Sequence, residues 1–150
     1  MSLTPPVAVI DALNGLLEAE LNSIFRFMGE GSPYLSRATI EIRRPLNEMV
    51  LAGQRRGMEL ADLIDRLGGV PSPRGIQLEE QYLAFLTLKF LLPKLADAKR
   101  LTIERYENAI RALKDAPPEV GELLHSHVSQ LRGELETLDK AAADLLAKKV

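Results

Sequence analysis

Ile42–Leu67 reads IRRPLNEMVLAGQRRGMELADLIDRL. Alternating steps of four and three pick out Ile42, Leu46, Met49, Gly53, Arg56, Leu60, Leu63 and Leu67. Six of these eight positions are large and apolar, as a helix packed lengthwise in a bundle requires. The middle two are a glycine and an arginine, a gap and a charge where a bundle core is thickest. An explanation of that interruption has to come from the other helices.

Three further periodic segments flank this one. The first spans about Pro5 to Met28, with the stripe Ile10, Leu13, Leu17, Glu20, Ile24 and Phe27; Glu20 lies on the apolar stripe and Glu18 off it. Gly29-Glu30-Gly31-Ser32-Pro33 makes a turn, with Ser32 as N-cap of a second helix over about 33–67. Pro45 removes a backbone donor and is expected to kink or split that helix, leaving a shorter piece before the main one. Gly68-Gly69-Val70-Pro71 stops it.

No helical period persists from Gly68 to about Leu86. Roughly eighteen extended residues reach about 50–60 Å, and a helix of about 28 residues is roughly 42 Å long. The link is thus long enough to return the chain to the far end, making helices two and three parallel. Helix three, from near Thr87 to before Pro117, carries the seam Leu92, Leu95, Lys99, Thr102, Tyr106, Ala109 and Leu113, polar again in the middle. Asp115-Ala116-Pro117-Pro118 is a tight turn into an antiparallel helix four ending near Lys148. Its seam reads Leu124, Val128, Leu131, Leu135, Leu138, Ala142 and Leu145, wholly apolar. The expectation is an all-α, single-domain chain over residues 1–150, a four-helix bundle with one long crossover between helices two and three.

Composition narrows the chemistry. At 150 residues the chain is long enough to bury a core without staples. With 46% hydrophobic and 27% charged residues it reads as an ordinary globular protein, and a net charge of −2 gives no case for nucleic acid or an anionic membrane. The absence of cysteine removes thiol catalysis, thiolate metal sites and disulfides. The start, MSLTPPVAV, lacks the basic and apolar regions of a signal peptide, and the longest apolar run, near Tyr82–Leu92, is too short to span a bilayer. A cytoplasmic location is expected. His125 and His127 stand two apart, so on a helix they diverge and cannot share a metal; both are expected at the surface. Glu48, Glu59, Asp62, Glu104 and Glu107 read as solvated flanks or members of intrahelical ion pairs. Phe25, Phe85, Leu86, Phe90 and Leu91 exceed what one seam needs; some are expected to cover the crossover and others to form a homodimer face.

Together these segments resemble the ferritin-like superfamily, in particular its bacterioferritin and rubrerythrin-type bundles. ALNGLLEAELNSI (residues 12–24) is similar to the first metal-bearing helix, with Glu20 at the ligand position. GMELADLIDRLGGVP (residues 57–71) is similar to the segment that follows the family's Glu-x-x-His motif. The resemblance implies two iron ions midway along the core, held by one glutamate from each of two helices and a Glu-x-x-His pair from each of the others. Carried onto this chain, the first pair falls at Gly53 and Arg56, the third-helix glutamate at Lys99 beside Thr102, and the second pair at Val128 and Leu131. Glu-x-x-His stands at neither of these two positions, and one ligand of six remains.

The sequence therefore leads to a ferritin-like bundle without its di-iron centre: no cofactor, no enzymatic activity, a structural or interaction module that pairs as a dimer. Glu20, Gly53, Arg56, Lys99, Thr102 and Tyr106 are expected to form a polar cluster at the vacated site. In it, Arg56 reaches into space left by Gly53 to bond Glu20, because unpaired charges in a core are strongly unfavourable. Two other readings stay open. One is a divergent metalloprotein or oxidoreductase using Glu20 and non-standard carboxylates. The other is a small-anion binder, since one carboxylate against two cations leaves excess positive charge.

Overall fold

The computed structural model describes residues 6–21, 40–72 and 88–147. They form α1 (Pro6–Leu21), α2 (Ile40–Arg66), α3 (Leu88–Ala112) and α4 (Pro118–Ala147), with no strand among the described residues. The expected turn at Gly29–Pro33, the chain from Ile24 to Met28, the crossover beyond Ser72 and the aromatic residues Phe25 and Phe85 lie outside the described residues, as do the side chains of Phe90 and Leu91.

Pro45 does not split α2, which runs without a break from Ile40 to Arg66. A proline deletes one amide bond, and here apolar anchoring on its C-terminal side holds the helix: Leu46, Met49 and Val50 are buried immediately after it. The other end of α2 stops as expected. Gly68 adopts a left-handed φ of 88°, its amide bonds Asp65 O at 3.0 Å and that of Gly69 bonds Ile64 O at 2.9 Å. These two bonds satisfy carbonyls that the helix end would otherwise leave open.

α1 packs chiefly on α2 and α3 on α4, while α1–α3 and α2–α4 contacts close the ring. Pro6 and Val9 of α1, Leu67 after α2, and Asp115–Pro118 between α3 and α4 surround one cavity. At the opposite end, Leu46 and Met49 of α2 cluster with Leu92 and Leu95 of α3 and Leu138 of α4. The C-terminal ends of α2 and α3 therefore lie together, and so do their N-terminal parts. The two helices are parallel, as a long crossover requires, and the bundle is the ferritin-like arrangement.

Two apolar clusters fill the ends. The larger joins Leu13 and Leu17, Leu60 and Leu63, Ile103 and Tyr106, and Leu124 and Leu131; the smaller is the Leu46–Leu138 group. Between them, on successive helices, lie the buried polar residues Glu20, Arg56 and Lys99, with the buried His127 on α4.

Candidate functional site: the polar layer midway along the bundle

Arg56 enters the middle of the bundle from α2 with only 1% of its surface exposed. Its guanidinium carries five N–H groups in a planar fork. Nε donates to Glu20 Oε2 at 2.7 Å and Nη2 to Glu20 Oε1 at 3.3 Å. On the other side Nη1 donates to Glu134 Oε2 at 2.7 Å and to Gln130 Oε1 at 3.3 Å, and Nη2 to Glu134 Oε1 at 3.2 Å. All five donors are used, and one cation is clamped two-pronged between two carboxylates. Burial by itself would make this guanidinium give up its proton more easily. The Glu20 and Glu134 charges and hydrogen bonds more than reverse that, holding Arg56 above its ordinary range.

Lys99 of α3 completes the charge balance. Its Nζ lies 2.6 Å from Glu134 Oε1, with the side chain almost fully buried. Burial lowers its pKa, Glu134 opposes that, and the neighbouring Arg56 cation adds to the lowering. Among the described residues, two carboxylates thus face two cations. The excess positive charge expected from Glu20, Arg56 and Lys99 alone is cancelled there by Glu134, and with it the electrostatic argument for an anion pocket among these residues.

Glu20 has a third donor: the Tyr106 hydroxyl, 2.8 Å from Oε2. Burial, then the Glu20 charge and hydrogen bond, push the phenol far above its usual range, so it stays protonated. Behind Tyr106 stands His127, fully buried, its Nδ1 3.0 Å from the hydroxyl and its ring edge-on to the phenol at 5.6 Å between centroids. Its Nε2 lies 2.8 Å from Glu59 Oε1 of α2, whose side chain is 43% exposed. Among the described residues no buried side-chain nitrogen or oxygen is left without a hydrogen-bond partner.

Of the residues singled out from sequence, Glu20, Arg56, Lys99 and Tyr106 come together as one network, Lys99 joining it through Glu134. Gly53 adjoins it, but a Cβ there would sit 3.7 Å from Arg56 Nη2 and Glu20 Oε1, ordinary contact distance, so the space left by the glycine is not what admits Arg56. Thr102 stands apart: its hydroxyl bonds the Ala98 carbonyl of its own helix at 3.1 Å. His127, expected at the surface, is buried, and Glu59 binds it rather than water alone. Glu134 and Gln130 had no place in the expected cluster. On α4 the polar face is His127, Gln130 and Glu134, whereas Val128 and Leu131, where the second Glu-x-x-His was expected, belong to the apolar core. A signal existed: stepping four, three, four, three, four from Val120 gives Leu124, His127, Leu131, Glu134 and Leu138, a seam interrupted at mid-length like those of α2 and α3.

Neither a family model nor a curated protein matches this chain. Solved structures do. The bacterioferritin of Desulfovibrio desulfuricans, described with a diiron site in different catalytic states, superposes with a TM-score of 0.82 at 18% identity, covering 95% of this chain and 82% of that one. A ferritin-like, diiron-carboxylate protein from Bacillus anthracis strain Ames gives a TM-score of 0.69 at 19% identity, over 91% of this chain and 96% of that one. This chain has the ferritin-like fold.

The residues at mid-bundle do not fit a pair of metal ions. Both oxygens of Glu20 and both of Glu134 already accept hydrogen bonds from the cations or the phenol, and Arg56 fills the space between the two carboxylates. A guanidinium cannot be deprotonated to become a ligand. Among the described residues no group of three or more His, Asp or Glu side chains is disposed to hold a metal ion.

Proposed function

We propose that this chain is a non-catalytic ferritin-like bundle, a cytoplasmic structural or interaction module in which a neutral ion-pair layer stands in place of a di-iron centre and binds no cofactor. The observation that supports this reading is the complete use of the Arg56 donors between Glu20 and Glu134. Iron could enter only by displacing a buried guanidinium, leaving that charge without partners in the core, and such an exchange is strongly unfavourable. The polar layer then serves the fold, by fixing which helix faces which.

A homodimer is the association we assign to it. Leu51 and Met58, 58% and 71% exposed, lie one seven-residue step apart and so share one outward face of α2. No described helix is long and apolar enough to cross a membrane.

Anaerobic loading with ferrous iron, followed by metal analysis and thermal unfolding, tests the first part. The expected outcome is no stoichiometric iron and an unchanged melting temperature. Bound iron in fixed ratio together with a raised melting temperature would overturn it and restore the metalloprotein alternative. Solution mass measurement tests the second part, and a monomer at all concentrations would remove the dimer.

A further inference from the structure

The line Glu59–His127–Tyr106–Glu20 holds three short contacts, of 2.8, 3.0 and 2.8 Å. Each joins two atoms that are acceptors unless a proton lies between them. With both carboxylates as acceptors, a neutral phenol brings one proton and a neutral imidazole one more. Two protons cannot make three bonds. All three contacts coexist only when the line carries one additional proton, on the second nitrogen of His127.

The geometry points to a proton-operated latch between α2 and α4: uptake of one proton at His127 Nε2 docks the Glu59 carboxylate, and its loss releases it. Which contact opens follows from position. In the neutral ring the proton can sit on Nδ1 or Nε2. On Nε2 it keeps Glu59, but Nδ1 then draws the Tyr106 hydroxyl away from Glu20, stripping a donor from a fully buried carboxylate. On Nδ1 it bonds the Tyr106 oxygen, Tyr106 still donates to Glu20, and the unmade contact is at the half-exposed Glu59, where water can replace it. The second arrangement costs less because the loss falls at the surface. The neutral form is therefore the Nδ1–H tautomer with Glu59 turned out to solvent.

The groups facing His127 are Glu20 on α1, Arg56 and Glu59 on α2, and Tyr106 on α3. Burial dominates and holds the imidazole below its ordinary value of 6.5, the two glutamates acting in the opposite direction and Arg56 adding to the lowering. A depressed histidine binds its proton less readily folded than unfolded. Its contribution to stability is whole above about 6.5, declines as pH falls from there, and is gone below the folded value. The latch therefore closes in acid, at some cost to overall stability.

The test is two-bond proton–nitrogen correlation of the histidine rings in the full chain, followed between about pH 5 and 8, with a His125→Gln variant to tell the two rings apart. Wild type is expected to show the Nδ1–H tautomer of His127 at neutral pH and imidazolium on acidification. Glu59→Gln, whose amide can donate to Nε2, should keep the Nδ1–H tautomer and move imidazolium formation to more acid pH. Tyr106→Phe removes the hydroxyl and should switch the neutral ring to Nε2–H, bonded to Glu59. An Nε2–H ring in wild type overturns the latch, and so does a Glu59→Gln titration identical to wild type. The glutamine variant lies at the surface, so this outcome can be read even if Tyr106→Phe does not fold.

Discussion

Arg56 binds its neighbours through shape as much as through charge. Lysine would keep the charge but concentrate three donors on one nitrogen, which cannot grip Glu20 and Glu134 two-pronged on opposite sides. Arg56→Lys is expected to cost about 1.5–3 kcal/mol, the worth of a charge-assisted hydrogen bond lost in a buried site. Arg56→Met should cost about 3–5 kcal/mol, since it leaves Glu20 and Glu134 against a single cation. Urea unfolding measures both, and a lysine variant within experimental error of wild type would show that the fork geometry is irrelevant. Gly53 behaves oppositely. A methyl fits at 3.7 Å from its nearest neighbours, so Gly53→Ala should stabilise the helix by about 0.5–1 kcal/mol. At this scale the sequence was legible where a polar residue broke an unambiguous apolar stripe, as Glu20, Arg56 and Lys99 do. It was not legible on α4, because residues three and four positions on from Leu124 straddle the same line along the helix. A step of four reaches Val128 and an unbroken apolar seam; a step of three reaches His127 and then Glu134. Both rows are at least partly buried, and only the packing of α2 and α3 decides which side chains meet the polar layer.

The elements show the same division between local and distant causes. The stop after α2 was readable because Gly68 needs its left-handed φ for reasons internal to the helix end. Why the next residue is also glycine was not readable. A Cβ at Gly69 would approach three side-chain atoms of Ile10 on α1 to 2.8–2.9 Å, so the close approach of another helix excludes it. Asn14 reinforces this seam, its amide donating to Val70 O at 3.2 Å and its carbonyl accepting from the Ser72 amide at 2.6 Å. Gly69→Ala should therefore cost about 1–3 kcal/mol as an overpacking change, with Ile10 forced to move. Restoration of stability by a second change, Ile10→Val or Ile10→Ala, would identify the contact. An uncompensated loss unaffected by residue 10 would place the cause elsewhere. Pro45 does not split the helix for a related reason: a missing amide bond is a local loss, and the burial of Leu46, Met49 and Val50 is a tertiary gain that offsets it.

Across the whole molecule, helix order and the parallel disposition of α2 and α3 were implied by loop lengths alone, since a short turn forces antiparallel neighbours and a long link permits the crossover. The ring order of the helices was not, because four amphipathic stripes can close a bundle in more than one way. In the function proposed above, the layer of Glu20, Arg56, Lys99 and Glu134 resolves that ambiguity at an energetic cost. Replacing the four together by Leu, Met, Met and Leu should raise stability by about 1–4 kcal/mol, as buried ion pairs exchanged for packed aliphatics commonly do. Tyr106 keeps a partner in that variant, because its hydroxyl can turn to His127 Nδ1. A fall in stability would mean that the layer contributes net free energy instead of specificity. The neutrality of this layer also governs how the sequence can drift. Any one of the four charges removed alone leaves an uncompensated ion in the core, whereas oppositely charged partners removed together do not. Substitutions at positions 20, 56, 99 and 134 should be tolerated in pairs and rejected singly. The middle of the bundle is thus separated from a metal-binding sequence by a valley of unstable single mutants.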